Sequence, residues 1–139
     1  RYNGYTDALK KYNDTTSVIF LEESLHGDKL KTARRLFTEK IIASLPDVII
    51  TSNDLIAQGI ISAAHENGIN IPNDMQITGF DDSLSSAYFI PSVTTVSQNI
   101  DKLAKRCFSM LMDLINKKSA VSSIIEQNII ARNSAKINI

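Results

Sequence analysis

The sequence predicts an α/β domain, an open and mostly parallel sheet with flanking helices, and three observations lead to it. Short apolar, β-branched runs alternate with segments of helical periodicity in the order strand, helix, strand, helix, strand. Two of those runs, VIFL within Ser17 to Leu21 and VII within Asp47 to Thr51, are continuous rather than alternating, as suits strands buried on both faces. Turn-forming residues stand at the joints, with Pro46 before one strand, Asn67-Gly68 after one helix and Pro72 beyond it.

Each element has its own warrant. The strand Ser17 to Leu21 precedes a helix from about Asp28 to Ala43, where Leu30, Ala33, Phe37 and Ile41 recur at spacings of three and four. The strand Asp47 to Thr51 leads into a helix from Asn53 to Glu66, closed by Gly68 as a left-handed cap. Met75 to Phe80 (MQITGF) and Val93 to Ser97 (VTTVS) are two further strands. The longest helix covers Ile100 to Lys117. Its stripe of Ile100, Leu103, Ala104, Cys107, Phe108, Leu111, Leu114 and Ile115 lies on one face, with Asp101 and Lys117-Lys118 at the ends the helix dipole favours. Ile124 to Ala131 forms a last extended stretch.

Composition narrows the function. With 139 residues, 43% of them hydrophobic, the chain suffices for one core and not for two. Lys and Arg number 15 and Asp and Glu number 15, whereas a chain that gripped DNA by itself would carry a clustered positive excess. The densest basic stretch, Lys29, Lys31, Arg34, Arg35 and Lys40, is spread through one helix and reads as a solvated face. The single cysteine, Cys107, lies in an apolar stripe and reads as a buried structural thiol in a reducing compartment. No apolar run is long enough to span a bilayer, and the start at Arg1 without Met points to a piece of a longer protein.

In an open parallel sheet, ligands bind beyond the carboxyl ends of the strands. Those exits hold Glu22, Glu23 and Ser24, then Thr51, Ser52, Asn53 and Asp54, then Asp81 and Asp82. Carboxylates and amides with few cations suit a neutral, hydroxyl-rich or heterocyclic ligand rather than a phosphate, and no glycine-rich phosphate loop is present. Each residue also has a plainer role open to it. Ser52 or Asn53 fits the N-cap of the helix that follows, and Asp81 and Asp82 fit a turn after a strand. Catalytic groupings do not assemble: His26 and His65 are isolated, and no HExxH, CxxC or GxSxG occurs. The reading is of a binding protein rather than an enzyme, with neither metal nor cofactor.

Taken in order, four segments resemble the LacI family of transcriptional regulators. Arg1 to Tyr5 followed by Ala8-Leu9 is similar to that family's RxxGF/Y…AL helix. Asp47 to Gly59 (DVIITSNDLIAQG) is similar to its PDAIFAANDxMAxG segment, and Asn67 to Asp82 (NGINIPNDMQITGFDD) to its xGLxVPxDVSVxGFDD segment. Pro91 to Gln98 (PSVTTVSQ) resembles PPLTTVxQ, and an amphipathic helix follows in the expected place.

The resemblance implies a fold like that of the periplasmic binding proteins, two Rossmann-like subdomains closing on a ligand. Arg1, Asn53 and Asp81 then correspond to effector contacts, and Gln98 to a contact at the crossover between subdomains. The stacking aromatic of many sugar-binding members has no counterpart in Glu22 to Lys29 (EESLHGDK). Gln58, Ile61 and Ser62, with Tyr88, Phe89 and Ile90, correspond to a homodimer surface. A helix-turn-helix domain, an N-terminal subdomain and a first strand are expected before Arg1, so that segment 99–128 packs on the N-terminal subdomain. The sheet should show a gap at that strand or recruit another, and the chain alone should be less stable than its parent. The expected whole is a cytoplasmic repressor that binds operator DNA through a domain outside this chain and senses a small sugar-like or nucleobase-like effector. A periplasmic sugar-binding protein of a transport system is the alternative.

Overall fold

A computed structural model of the chain describes residues 2–12 and 27–137. The expected strand at 17–21, its exit residues Glu22, Glu23 and Ser24, and both Arg1 and His26 lie outside them. Helix α1 (Tyr2–Lys11) comes first, followed by α2 (Lys29–Leu36). Asp28 caps α2 by accepting from the Lys31 N–H at 3.0 Å. The helix runs on through a π turn (Phe37–Ile41) and a 3-10 turn (Ile42–Ser44), so the long helix expected there changes pitch after its second turn. Then come β1 (Val48–Ile50), α3 (Asp54–Glu66), β2 (Gln76–Thr78), the short α4 (Leu84–Tyr88), β3 (Thr95–Ser97), α5 (Ile100–Ile115) and β4 (Asn128–Ile130). Helix α4 carries no apolar period in the sequence and was not anticipated.

The described strands form two two-stranded sheets, β1-β2 and β3-β4, joined by a single bridge. β1 and β2 pair in parallel, with Ile49 opposite Ile77, and β2 meets β3 through a parallel bridge between Thr78 and Thr94. β3 and β4 pair antiparallel, with Val96 opposite Ile129. β3 is shorter than the apolar run that marks it, because Thr94 meets β2 at one bridge only and the Val93 N–H turns to the Ser86 carbonyl.

The core lies between α2, α3 and the inner face of β1 and β2. Phe37, Ile60, Ile61, Met75, Ile77 and Val93 are its large members. Helices α2 and α3 meet closely enough that a Cβ at Gly59 would stand 2.6 Å from the Leu30 carbonyl oxygen and 2.8 Å from the Ala33 Cβ. Helix α3 closes as expected: Gly68 takes φ +74, and the Ile69 N–H returns to the Ala64 carbonyl at 3.0 Å.

Two expectations about burial are corrected. β1 is covered on one face only, since Ile49 packs on the core while Val48 and Ile50 stand 47% and 60% exposed. Among the described residues β1 pairs only with β2. Cys107 is exposed rather than buried, because no residue of α5 is buried and its whole apolar stripe lacks a cover among the described residues. No described helix is long and apolar enough to cross a membrane.

Candidate functional site

Three strand exits converge at the carboxyl end of the sheet. Beyond β1 the Thr51 hydroxyl lies 2.8 Å from the Asn53 carbonyl and 2.9 Å from that of Thr78, which turns the chain sharply into α3. Asn53 then fills the N-cap role: its Oδ1 accepts from the Ile56 N–H at 3.0 Å. That occupies one end of the amide. Nδ2 makes no hydrogen bond among the described residues and remains available as a donor. Asn53→Ala should therefore cost about 1 kcal/mol of stability in a urea titration through the lost cap. Asn53→Ser keeps a capping oxygen and isolates any ligand contact of the amide. An Ala variant as stable as the parent would refute the cap.

Asp54 is the hub of the junction and was passed over in the sequence as one polar exit residue among several. It is 1% exposed. Its Oδ1 accepts from the Thr95 hydroxyl at 2.5 Å and its Oδ2 from the Ser83 N–H at 2.7 Å, while its own N–H donates to the Phe80 carbonyl at 2.9 Å. A buried carboxylate needs such donors to offset its lost hydration. The packing also explains Gly79 of the GFDD segment, where a Cβ would stand 2.1 Å from Asp54 Oδ1.

The turn after Gly79 carries both aspartates in the left-handed half of backbone space, Asp81 at φ +108 and Asp82 at φ +54. Each such residue costs about 1–3 kcal/mol and needs tethers. The Asp81 N–H donates to the Val96 carbonyl at 3.0 Å and the Asp82 N–H to the Thr95 hydroxyl at 3.3 Å. Turn residue and site residue are thus not alternatives for Asp81. Its backbone makes the turn while its Oδ1 accepts from Gln98 Nε2 at 2.5 Å.

Asn53, Asp54 and Asp81 line one open depression of about 320 Å³, together with Lys29, Leu55, Ser83 and Ser85. Asn53 follows β1, Asp81 follows β2, and Gln98, bonded to Asp81, follows β3. Three of the four expected ligand contacts are therefore brought together, and Arg1 lies outside the described residues. Lys29 stands at the rim, although its sequence context, a helix rich in cations, suggested only a solvated face. Among the described residues no three His, Cys, Asp or Glu side chains group as a metal site would need. His65 is exposed in the last turn of α3.

The expected dimer residues divide. Gln58 is 3% exposed and donates to Ser85 Oγ at 2.8 Å and Ser86 Oγ at 3.2 Å. Ile61 is 1% exposed within the core. Both face inward in the chain's own packing, so neither has surface to offer a partner, and Gln58 instead ties α3 to α4. The Ser62 hydroxyl accepts from Arg34, which also forks onto Glu66 at 2.7 Å. Tyr88 and Ile90 remain 78% and 88% exposed, and Phe89 packs partly on the core.

Arg132 was not singled out from the sequence at all. Its Nη2 pairs with Asp82 Oδ1 at 2.6 Å and its Nη1 donates to the Val93 carbonyl at 2.9 Å. No spacing rule reaches a partner 50 positions away.

An α/β domain whose successive parallel strands open toward one depression at their carboxyl ends has the architecture of the doubly wound, small-molecule-binding domains. The chain belongs to the periplasmic binding protein-like domain family, whose model matches residues 1–135, and within it to the C-terminal, effector-binding part of LacI-type regulators. It is 32% identical over 129 residues to the HTH-type transcriptional repressor PurR of Erwinia tasmaniensis, covering 91% of this chain and 37% of that protein. Among solved structures, the periplasmic binding ribose operon repressor of Lactobacillus acidophilus superposes with a TM-score of 0.82 at 28% identity, covering 98% of this chain and 50% of that one. A periplasmic binding protein/LacI transcriptional regulator of Alkaliphilus metalliredigens, complexed with D-xylulofuranose, gives a TM-score of 0.76 at 25% identity over 96% and 50% of the two chains. The chain thus spans 37% of that curated relative and half of each solved one.

Proposed function

We propose that the chain is the effector-sensing and dimerisation part of a LacI-type, DNA-binding transcriptional repressor that works in the cytoplasm and catalyses no reaction. The observation that carries this is the meeting of Asn53 and Asp81, from two successive strand exits, at a single depression, with Gln98 from the next exit bonded to Asp81. A carboxylate acceptor beside two amides offers paired donors and acceptors, which suits sugar hydroxyls or the edge of a nucleobase. Arg1, outside the described residues, would add a charged donor. The relatives named as a ribose operon repressor and as a complex with D-xylulofuranose support a sugar-like effector, and those named as repressors support regulation over transport.

The effector acts only through its unequal affinity for two closure states of the paired subdomains, and closure resets the spacing of the DNA-binding heads. In this reading segment 99–128 packs on an N-terminal subdomain. The bare stripe of α5, with Phe108 66% and Leu111 53% exposed, supports that placement. Tyr88, Phe89 and Ile90, joined by Leu84 at 79% exposure, supply the dimer surface. Operator DNA is held by a domain outside this chain.

In the full-length regulator, Asp81→Ala removes a charged acceptor and should weaken response to pentoses by about tenfold or more, with operator binding unchanged. An operator-release assay titrated with D-ribose, D-xylulose and hypoxanthine reads this directly. Equal induction of the variant and the parent would overturn the assignment.

A further inference from the structure

We infer that Arg132 is a positioning residue of the effector site: it holds Asp82, and through Asp82 the left-handed turn that presents Asp81 to Gln98 and the depression. This rests on the reading of Asp81 as an effector contact and adds a residue that touches no ligand itself. The geometry is specific. The guanidinium is 17% exposed and the Asp82 carboxylate 26%, and they meet at 2.6 Å. The other arm of the fork holds the Val93 carbonyl at 2.9 Å. The Arg132 backbone is fixed as well, its N–H donating to Thr94 Oγ1 at 2.9 Å and its carbonyl lying 3.0 Å from the same oxygen. The charge therefore comes from a rigid backbone rather than a loose surface arm.

The turn it restrains is held on either side of Asp82 by the Asp81 N–H on the Val96 carbonyl at 3.0 Å and the Ser83 N–H on Asp54 Oδ2 at 2.7 Å, but Asp82 itself is held less firmly. Asp81 and Asp82 both hold positive φ, and the other tether of Asp82 is the long 3.3 Å bond from its N–H to Thr95. A charge-assisted bond is stronger than a neutral one, so the Arg132 pair is the firmest grip on that residue. If Asp82 relaxed toward negative φ, the preceding carboxylate would swing away from Gln98. Arg132 lies two residues beyond β4, the strand that pairs with β3. The same contact thereby ties the ligand-facing turn to the β3–β4 pair.

The test uses the ligand-free full-length regulator with ¹⁵N in its glutamine side chains and backbone. In the parent, the Gln98 side-chain amide should resonate away from the free-glutamine position because it donates to Asp81. In Arg132→Met that signal should return to the free position, and the Asp81 backbone amide should lose about tenfold or more of its protection against exchange. The α3 core amides should keep theirs. Asp82→Ala approaches the pair from the other side and should give the same shift, with the double variant adding nothing further. A displaced Gln98 signal retained in either folded variant overturns the inference and leaves the effector reading standing. Conversely, full pentose response in Asp81→Ala would sink the effector reading while leaving the tether intact.

Discussion

Gly79→Ala is expected to destabilise the chain by about 3–5 kcal/mol, a large share of what a domain of this size has to lose. The added Cβ would lie 2.1 Å from Asp54 Oδ1 and 3.1 Å from Val93 Cγ1. Neither neighbour can step aside cheaply. Val93 is fully buried, and the Asp54 carboxylate is held by Thr95 Oγ1 at 2.5 Å and the Ser83 N–H at 2.7 Å. Displacing it strands a buried donor on each side at about 1–3 kcal/mol apiece. Asp54→Ala should itself be strongly destabilising, yet the pair Gly79→Ala with Asp54→Ala should cost less than the sum, since the new methyl enters the space the carboxylate leaves. Urea unfolding of the three variants measures this. A single Gly79→Ala within about 1 kcal/mol of the parent would show that the junction relaxes, and the account of the GFDD glycine would be wrong.

Phe37→Ala should cost about 3–5 kcal/mol by leaving a cavity where α2 passes into its π turn. Phe37 is 0% exposed and heads the group of fully buried large side chains. Its neighbours are constrained in turn, because α2 sits against α3 at Gly59 with no room to collapse inward. Phe37→Leu retains most of the volume and should lose no more than about 1.5 kcal/mol. If the two substitutions were equally mild, Phe37 would not be a member of the core that decides stability.

Much of the fold was legible because its signals are local. The 3.6-residue period of Leu30, Ala33, Phe37 and Ile41, the cap at Asn67-Gly68 and the β-branched runs at 48–50 and 95–97 each follow from a few neighbouring residues. The candidate site was legible for a related reason. A parallel sheet puts its ligand beyond the strand ends, so finding the strands locates Asn53 and Asp81, whereas Gln98 followed only from the family resemblance. Even the two roles weighed for Asn53 and Asp81 were readable, and the structure assigns cap and turn to the same residues that line the depression.

Sequence alone thus determined the class of the fold, the order of the described elements apart from the short α4, and the polar exits after β1 and β2. Only tertiary structure decided which of the polar and apolar side chains are inside. A helical period states that one face is apolar, but whether that face is covered depends on what lies opposite. The stripe of α5 and Cys107 are bare, whereas Gln58, an amide, is buried against Ser85 and Ser86. Likewise Asp54 and Arg132 draw their roles from partners 29 to 50 residues away, Ser83, Thr95 and Asp82. Such pairings are set by the path of the chain through space, since the desolvation that makes a buried charge demand a partner acts only once the fold has closed around it.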